Sequence, residues 1–102
     1  MDSRLKLHNL LLKILDGKDV YYQPPESIKI CYPAIIYSRS DIMNTNADNR
    51  VYKQDHFYKI TVIDPNPDSQ IVDRISKLPK INFDSHYTSD GLNHDVFTLY
   101  YD

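Results

Sequence analysis

Between Tyr58 and Tyr101 the chain leaves almost no slack between its elements, and that tightness constrains the fold more than any other feature. Tyr58, Ile60 and Val62 alternate with polar partners and stop at Asp64-Pro65-Asn66-Pro67. Alternation of period two marks a half-buried strand, and the paired prolines close it. Ile71, Val72, Ile75 and Leu78 then recur at helical spacing until Pro79. Phe83–Tyr87, the turn residues Ser89-Asp90-Gly91 and the run Val96–Tyr101 read as a hairpin. Strand, helix, strand, turn, strand is compact α+β wiring.

The remaining elements are predicted by the same rules. Asp2 or Ser3 caps a first helix ending at Leu15, with Leu7, Leu11, Ile14 and Leu15 on one face. Gly17 is the expected left-handed terminator. Leu5, Leu10 and Leu12 widen the apolar stripe. Either one broad face packs on one core, or the helix touches a sheet on one side and a neighbouring subunit on the other. Val20-Tyr21-Tyr22 is a short strand or an extended approach to Pro24-Pro25. Ile28–Tyr32 alternates but meets Pro33, which cannot donate to a central ladder. Ala34–Ser38 is the first secure strand.

From Arg39 to Arg50 the chain is almost wholly polar and reads as a loop, the kind of segment where function tends to sit. Val51–Ile63 follows as a strand of roughly 43 Å at the usual rise per residue. That exceeds the width of a domain this small, so its polar end projects beyond the sheet or bends at a bulge. The prediction is one domain over residues 1–102, a mostly antiparallel sheet of four to five strands, with helices Ser3–Leu15 and Ser69–Leu78 packed on it.

Composition excludes several chemistries. Twelve basic against 14 acidic side chains give no drive toward a phosphate backbone or an anionic membrane. No segment approaches transmembrane length, and Leu10-Leu11-Leu12 is too short for a signal peptide. Two glycines, Gly17 and Gly91, cannot make a Gly-rich phosphate cradle. Cys31 is the only cysteine, which rules out an internal disulfide and a thiolate cluster. Its apolar neighbours predict a small buried hydrophobe, and a reducing compartment is the simplest setting. Nine tyrosines without a tryptophan suit half-buried strands and also subunit interfaces.

Candidate chemistry is sparse. His86, Asp90, His94 and Asp95, with His56 on a neighbouring strand, are the residues from which a divalent metal site could be assembled, although their spacing is that of a hairpin turn. Ser85 and His86 are adjacent on a strand and so face opposite ways, which separates them as nucleophile and base. The carboxylate pairs Asp55 with Asp64 and Asp84 with Asp95 are of a kind any small surface offers. Arg50, Lys53 and Lys59 interleave with aromatics as in a single-strand binder, yet Asp48, Asp55 and Asp64 offset the field.

Several phrases together carry a resemblance. They are Tyr58–Ser69, the helix ending Ile75-Ser76-Lys77-Leu78-Pro79, the terminal block Phe83–Phe97, and in the front half Tyr22-Gln23-Pro24-Pro25-Glu26 and Tyr32–Tyr37. Over residues 4–101 the chain resembles the tail-terminator, or tail-completion, proteins of the head-tail connector region in tailed phages of Gram-positive hosts. The resemblance implies a sheet with helices on one face, assembled as a hexameric ring on the last ring of tail-tube protein. Such a ring stops polymerisation in the virion neck, after assembly in the host cytoplasm, and offers a docking surface to head-completion and connector proteins. It implies neither enzymatic activity nor a cofactor, and DNA that passes through without specific binding. A head-closure or other head-tail joining protein is the alternative of the same class, and a small metal-dependent hydrolase using His86, Asp90 and His94 that of another. A ring subunit needs two complementary patches. The residues expected to supply one are Arg39, Asn44, Asn46, Arg50, Tyr52 and Lys53.

Overall fold

The computed structural model describes residues 3–17, 19–25, 27–47 and 50–101; the side chains of Ser3, 41–47 and 50–55 lie outside that description. Two helices and five strands follow in the order α1 (Ser3–Leu15), β1 (Val20–Tyr22), β2 (Ala34–Ala47), β3 (Arg50–Asp64), α2 (Gln70–Ser76), β4 (Ile81–Ser89) and β5 (Leu92–Tyr100). The strands form one sheet in the order β1-β2-β3-β5-β4. Only β1 and β2 run parallel; every other pair is antiparallel. The expected α+β architecture is therefore the observed one.

Both helices lie on one face. Leu7 and Leu11 of α1 and Ile71 and Ile75 of α2 share a core with Ile35 and Tyr37 of β2, Tyr58, Ile60 and Val62 of β3, and Phe97 and Leu99 of β5. The strand members sit two residues apart, as the pleat requires. Burying side chains of this size stabilises by about 1.5–3 kcal/mol each, which makes this layer the principal source of stability.

Local chemistry explains the element ends. Asp16 takes the left-handed conformation after α1 (φ 58°), and the Gly17 N–H returns to the Leu12 carbonyl at 3.4 Å. The expected left-handed residue was Gly17; the turn comes one position earlier, on a residue type that tolerates it. After β3 the Asp64 carboxylate accepts from Asn66 N–H at 2.8 Å, and the Asn66 side-chain oxygen accepts from Asp68 N–H at 2.9 Å. These two successive side-chain turns reverse the chain. Ser69 then caps α2, its hydroxyl accepting from Ile71 N–H at 3.2 Å. The helix closes at Ser76 rather than at Leu78, because Lys77 and Leu78 N–H groups turn back to Arg74 and Ile75 in a tighter final turn. Arg74 donates to the Ile14 carbonyl at 2.8 Å, satisfying the end of α1 and tying the helices together.

The segment read as a polar loop, Arg39–Arg50, is a correction: nearly all of it is strand. β2 continues to Ala47 and pairs with β3 as far as Ala47↔Arg50. Asp48 and Asn49 lie outside the described residues. β5 pairs only with Phe57–Asp64 of β3, so residues 42–47 and 50–56 form a two-stranded arm beyond the rest of the sheet. The expected long strand thus does both things foreseen for it. It projects, giving the molecule extents of 52 × 26 × 23 Å, and its pairing with β2 is interrupted by bulges at Arg39/Asp41 and Thr45/Asn46. Bulges bend and twist a ribbon locally.

Candidate assembly surfaces

The arm holds five of the six residues expected at an interface, and the sixth, Arg39, precedes it. Arg39 is exposed at its root, paired with Tyr58. Asn44 pairs with Gln54, Lys53 with Thr45, and Asn46 with Val51. Tyr52 is therefore the extra residue of the outer bulge, and Arg50 stands opposite Ala47 at the tip. The backbone brings these positions onto one ribbon; the side chains of Asn44, Asn46, Arg50, Tyr52 and Lys53 lie outside the described residues. A ribbon with its own cross-strand ladder presents residues at fixed spacing, which a loop of the same composition does not.

A second surface, at the opposite edge of the sheet, escaped sequence reading. β4 is an outer strand, and all of its residues after Ile81 are exposed. Phe83 is 57% exposed and Tyr87 50%. Register places Phe83 opposite Phe97 on the helix side of the sheet and Tyr87 opposite His94 on the other. Phe83 meets Phe97 edge-on at 5.5 Å, and Tyr87 stacks on His94 at 4.6 Å with planes 9° apart. A bulge between Phe83 and Ser85 makes Asp84 the unpaired residue, and its carboxylate accepts from the Thr98 hydroxyl. A two-residue turn of Asp90 and Gly91, both at positive φ, closes the hairpin. The alternating apolar signal was present in Phe83 and Tyr87, but neither residue is core.

The candidate metal ligands do not converge. His86 pairs with Asp95 across the hairpin (Nδ1 to Oδ1, 2.7 Å). His94 pairs with Tyr87, one register position away, and so projects from the opposite face. Among the described residues no group of three His, Cys, Asp or Glu side chains comes together. The set His86, Asp90, His94 is corrected on that ground. Ser85 and His86 likewise occupy successive positions on β4. Cys31 is exposed rather than buried, because residues 27–33 run outside the sheet before β2 begins. The apolar hollow between Leu10, Leu78, Pro79, Leu99 and Tyr101 has a volume of about 60 Å³. Ligand pockets are typically about 300–1,000 Å³, so this one suits a single side chain.

Under α1 lies a polar-aromatic cluster. Tyr37 is 1% exposed, its hydroxyl 2.7 Å from His8 Nδ1, with Tyr22 and Tyr58 rings at 4.9 and 6.3 Å. The Arg4 guanidinium lies over Tyr22 at 4.7 Å. Burial first, then the Arg4 charge, holds His8 below the ordinary imidazole value. Burial pushes the Tyr37 phenol up. This cluster clamps α1 to the sheet two residues before the arm's root.

Comparison with protein-family models, with curated proteins and with solved structures gives no match. Among the described residues no helix is long and apolar enough to cross a membrane.

Proposed function

We propose that this chain is a structural virion protein of the tail-terminator type, which closes into a ring on the end of a phage tail tube and halts its growth. The observation that carries the reading is the arm. A two-stranded ribbon that leaves the domain packs on nothing in its own sheet beyond its partner strand, among the described residues. Such an element is useful to a molecule that touches others. The free β4 edge supplies a second, different surface, and two unlike patches per subunit are what a ring requires. The near-balance of 12 basic and 14 acidic side chains suits a channel that lets DNA pass without gripping phosphates. Helices confined to one face agree with the shape that the sequence resemblance implies. In this role the chain needs no cofactor; its partners are copies of itself, the tail-tube protein and a head-completion protein, and its place is the virion neck.

The test is tail length. Replacing residues 44–54 with Asn-Gly, which closes the arm at the Met43↔Asp55 pair, leaves the core layer untouched. Electron micrographs of lysates carrying this variant should show tubes of uncontrolled length. Tails of normal length from a folded variant would remove the arm from the mechanism.

A further inference from the structure

We propose that copies of this chain join by edge-to-edge strand pairing, the β3 side of one arm adding to the free β4 edge of the next copy. The geometry on both sides is backbone. Tyr100 N–H bonds the Lys80 carbonyl at 3.1 Å, which fixes the phase of the β4–β5 ladder. Bonded pairs alternate in an antiparallel ladder, so Asn82 faces β5, and the N–H and C=O groups of Ile81 and Phe83 point outward. On β3 the Tyr101 N–H bonds the His56 carbonyl at 3.0 Å, the outermost backbone bond on that side among the described residues. Gln54, two residues on, turns its backbone groups the same way with no strand beside them among the described residues. Two open edges of complementary donors and acceptors are thereby present on one molecule, too far apart in the sheet order to meet each other.

Charge selects this pairing over β4 against β4. From Ile81 to Ser89 the edge carries Asp84 and no lysine or arginine. Two such edges side by side would bring like charges together, which destabilises strand pairs. The arm's β3 half carries Arg50 and Lys53 against Asp55, a net positive strand for a negative edge. An added strand would cover Phe83 on one side of the sheet and Tyr87 on the other. Because donor and acceptor edges differ, the contact repeats head to tail and closes a ring when the rotation allows. Its biological use rests on the tail-terminator reading; its geometry does not.

Sedimentation of the wild type and three variants decides it. Phe83→Pro removes an outward N–H at an edge position where proline is tolerated; the 44–54 replacement removes the donor arm. Asp84→Lys reverses the edge charge and serves where the proline variant does not fold, with circular dichroism and melting as the check. Wild type should sediment as a multimer and each folded variant as a monomer. An equimolar mixture of an edge variant with the arm variant should give a one-to-one dimer and nothing larger. A monomeric wild type, a folded variant of wild-type size, or a mixture that stays monomeric would overturn the pairing. If the mixture forms its dimer while tail length is insensitive to both variants, the pairing stands and the tail-terminator role falls.

Discussion

The His8 Nδ1 atom and the Tyr37 hydroxyl, 29 residues apart in the chain, lie 2.7 Å from each other beneath α1. Burial and the Arg4 charge hold this imidazole below 6.5, and the groups facing it are Arg4 and Tyr37. A depressed base binds its proton less readily folded than unfolded. Stability is therefore complete above 6.5 and falls as pH drops through that value toward the lower folded one. Melting temperatures measured from about pH 8 to about pH 5 should decline as pH falls below the ordinary imidazole value, and His8→Gln should flatten the decline. An equal slope in the variant would place the acid sensitivity elsewhere.

Helix α1 distinguishes core from surface leucines. Leu11 is fully buried in the shared layer and Leu5 is 51% exposed. Leu11→Ala should cost about 2–5 kcal/mol by chemical denaturation, through lost burial and the cavity left behind. Leu5→Ala should stay within about 0.5 kcal/mol. Comparable losses at both would mean that the helix is rotated from the orientation described.

The two glycines should respond oppositely. Gly91 has φ +76° in the hairpin turn, a conformation that costs an L-residue about 1–2 kcal/mol. Gly91→Ala should lower stability by that order. At Gly17 an added Cβ meets, among the described residues, just Leu15 Cγ at 4.0 Å, so Gly17→Ala should be neutral or slightly stabilising. Urea unfolding of both variants checks the assignment of the left-handed position to Asp16.

Asn93 holds the corner between β3 and α2. It is buried, and its amide donates to the carbonyls of Asp64 and Pro65 at 3.1 and 3.3 Å. Asn93→Ala leaves these carbonyls without that donor and should cost about 1–3 kcal/mol. Asn93→Asp cannot donate and should be no better. Hydrogen exchange at Asn66 and Asp68 should rise in both.

Where the chain packs against a second layer, the residues announced it. Tyr58, Ile60 and Val62 alternate because one face meets α1 and α2, and Ile71 and Ile75 recur because one stripe of α2 meets the sheet. Ser69, Pro79 and Asp90-Gly91 mark ends through local hydrogen bonding or φ, which sequence alone reveals. The arm was illegible for the complementary reason. No third strand pairs with it among the described residues, so nothing imposes an apolar period, and its Asp and Asn residues are poor strand formers. Strand pairing there is carried by the backbone ladder, which composition does not encode. Cys31 misled because its neighbours Ile30 and Tyr32 resemble a core phrase, whereas Tyr32 is itself 43% exposed. The open β4 edge was hidden for a topological reason. Which strand ends a sheet depends on β5 inserting between β3 and β4, and no local signal reports that order.

As the proposed terminator, this molecule acts by its shape at the end of a tube. The decisive experiment adds purified protein to polymerising tail-tube subunits and reads tube length by electron microscopy. The expected result is arrest at substoichiometric amounts with a ring at the capped end, lost in the 44–54 replacement. Tubes that lengthen at the same rate with and without the protein would contradict it.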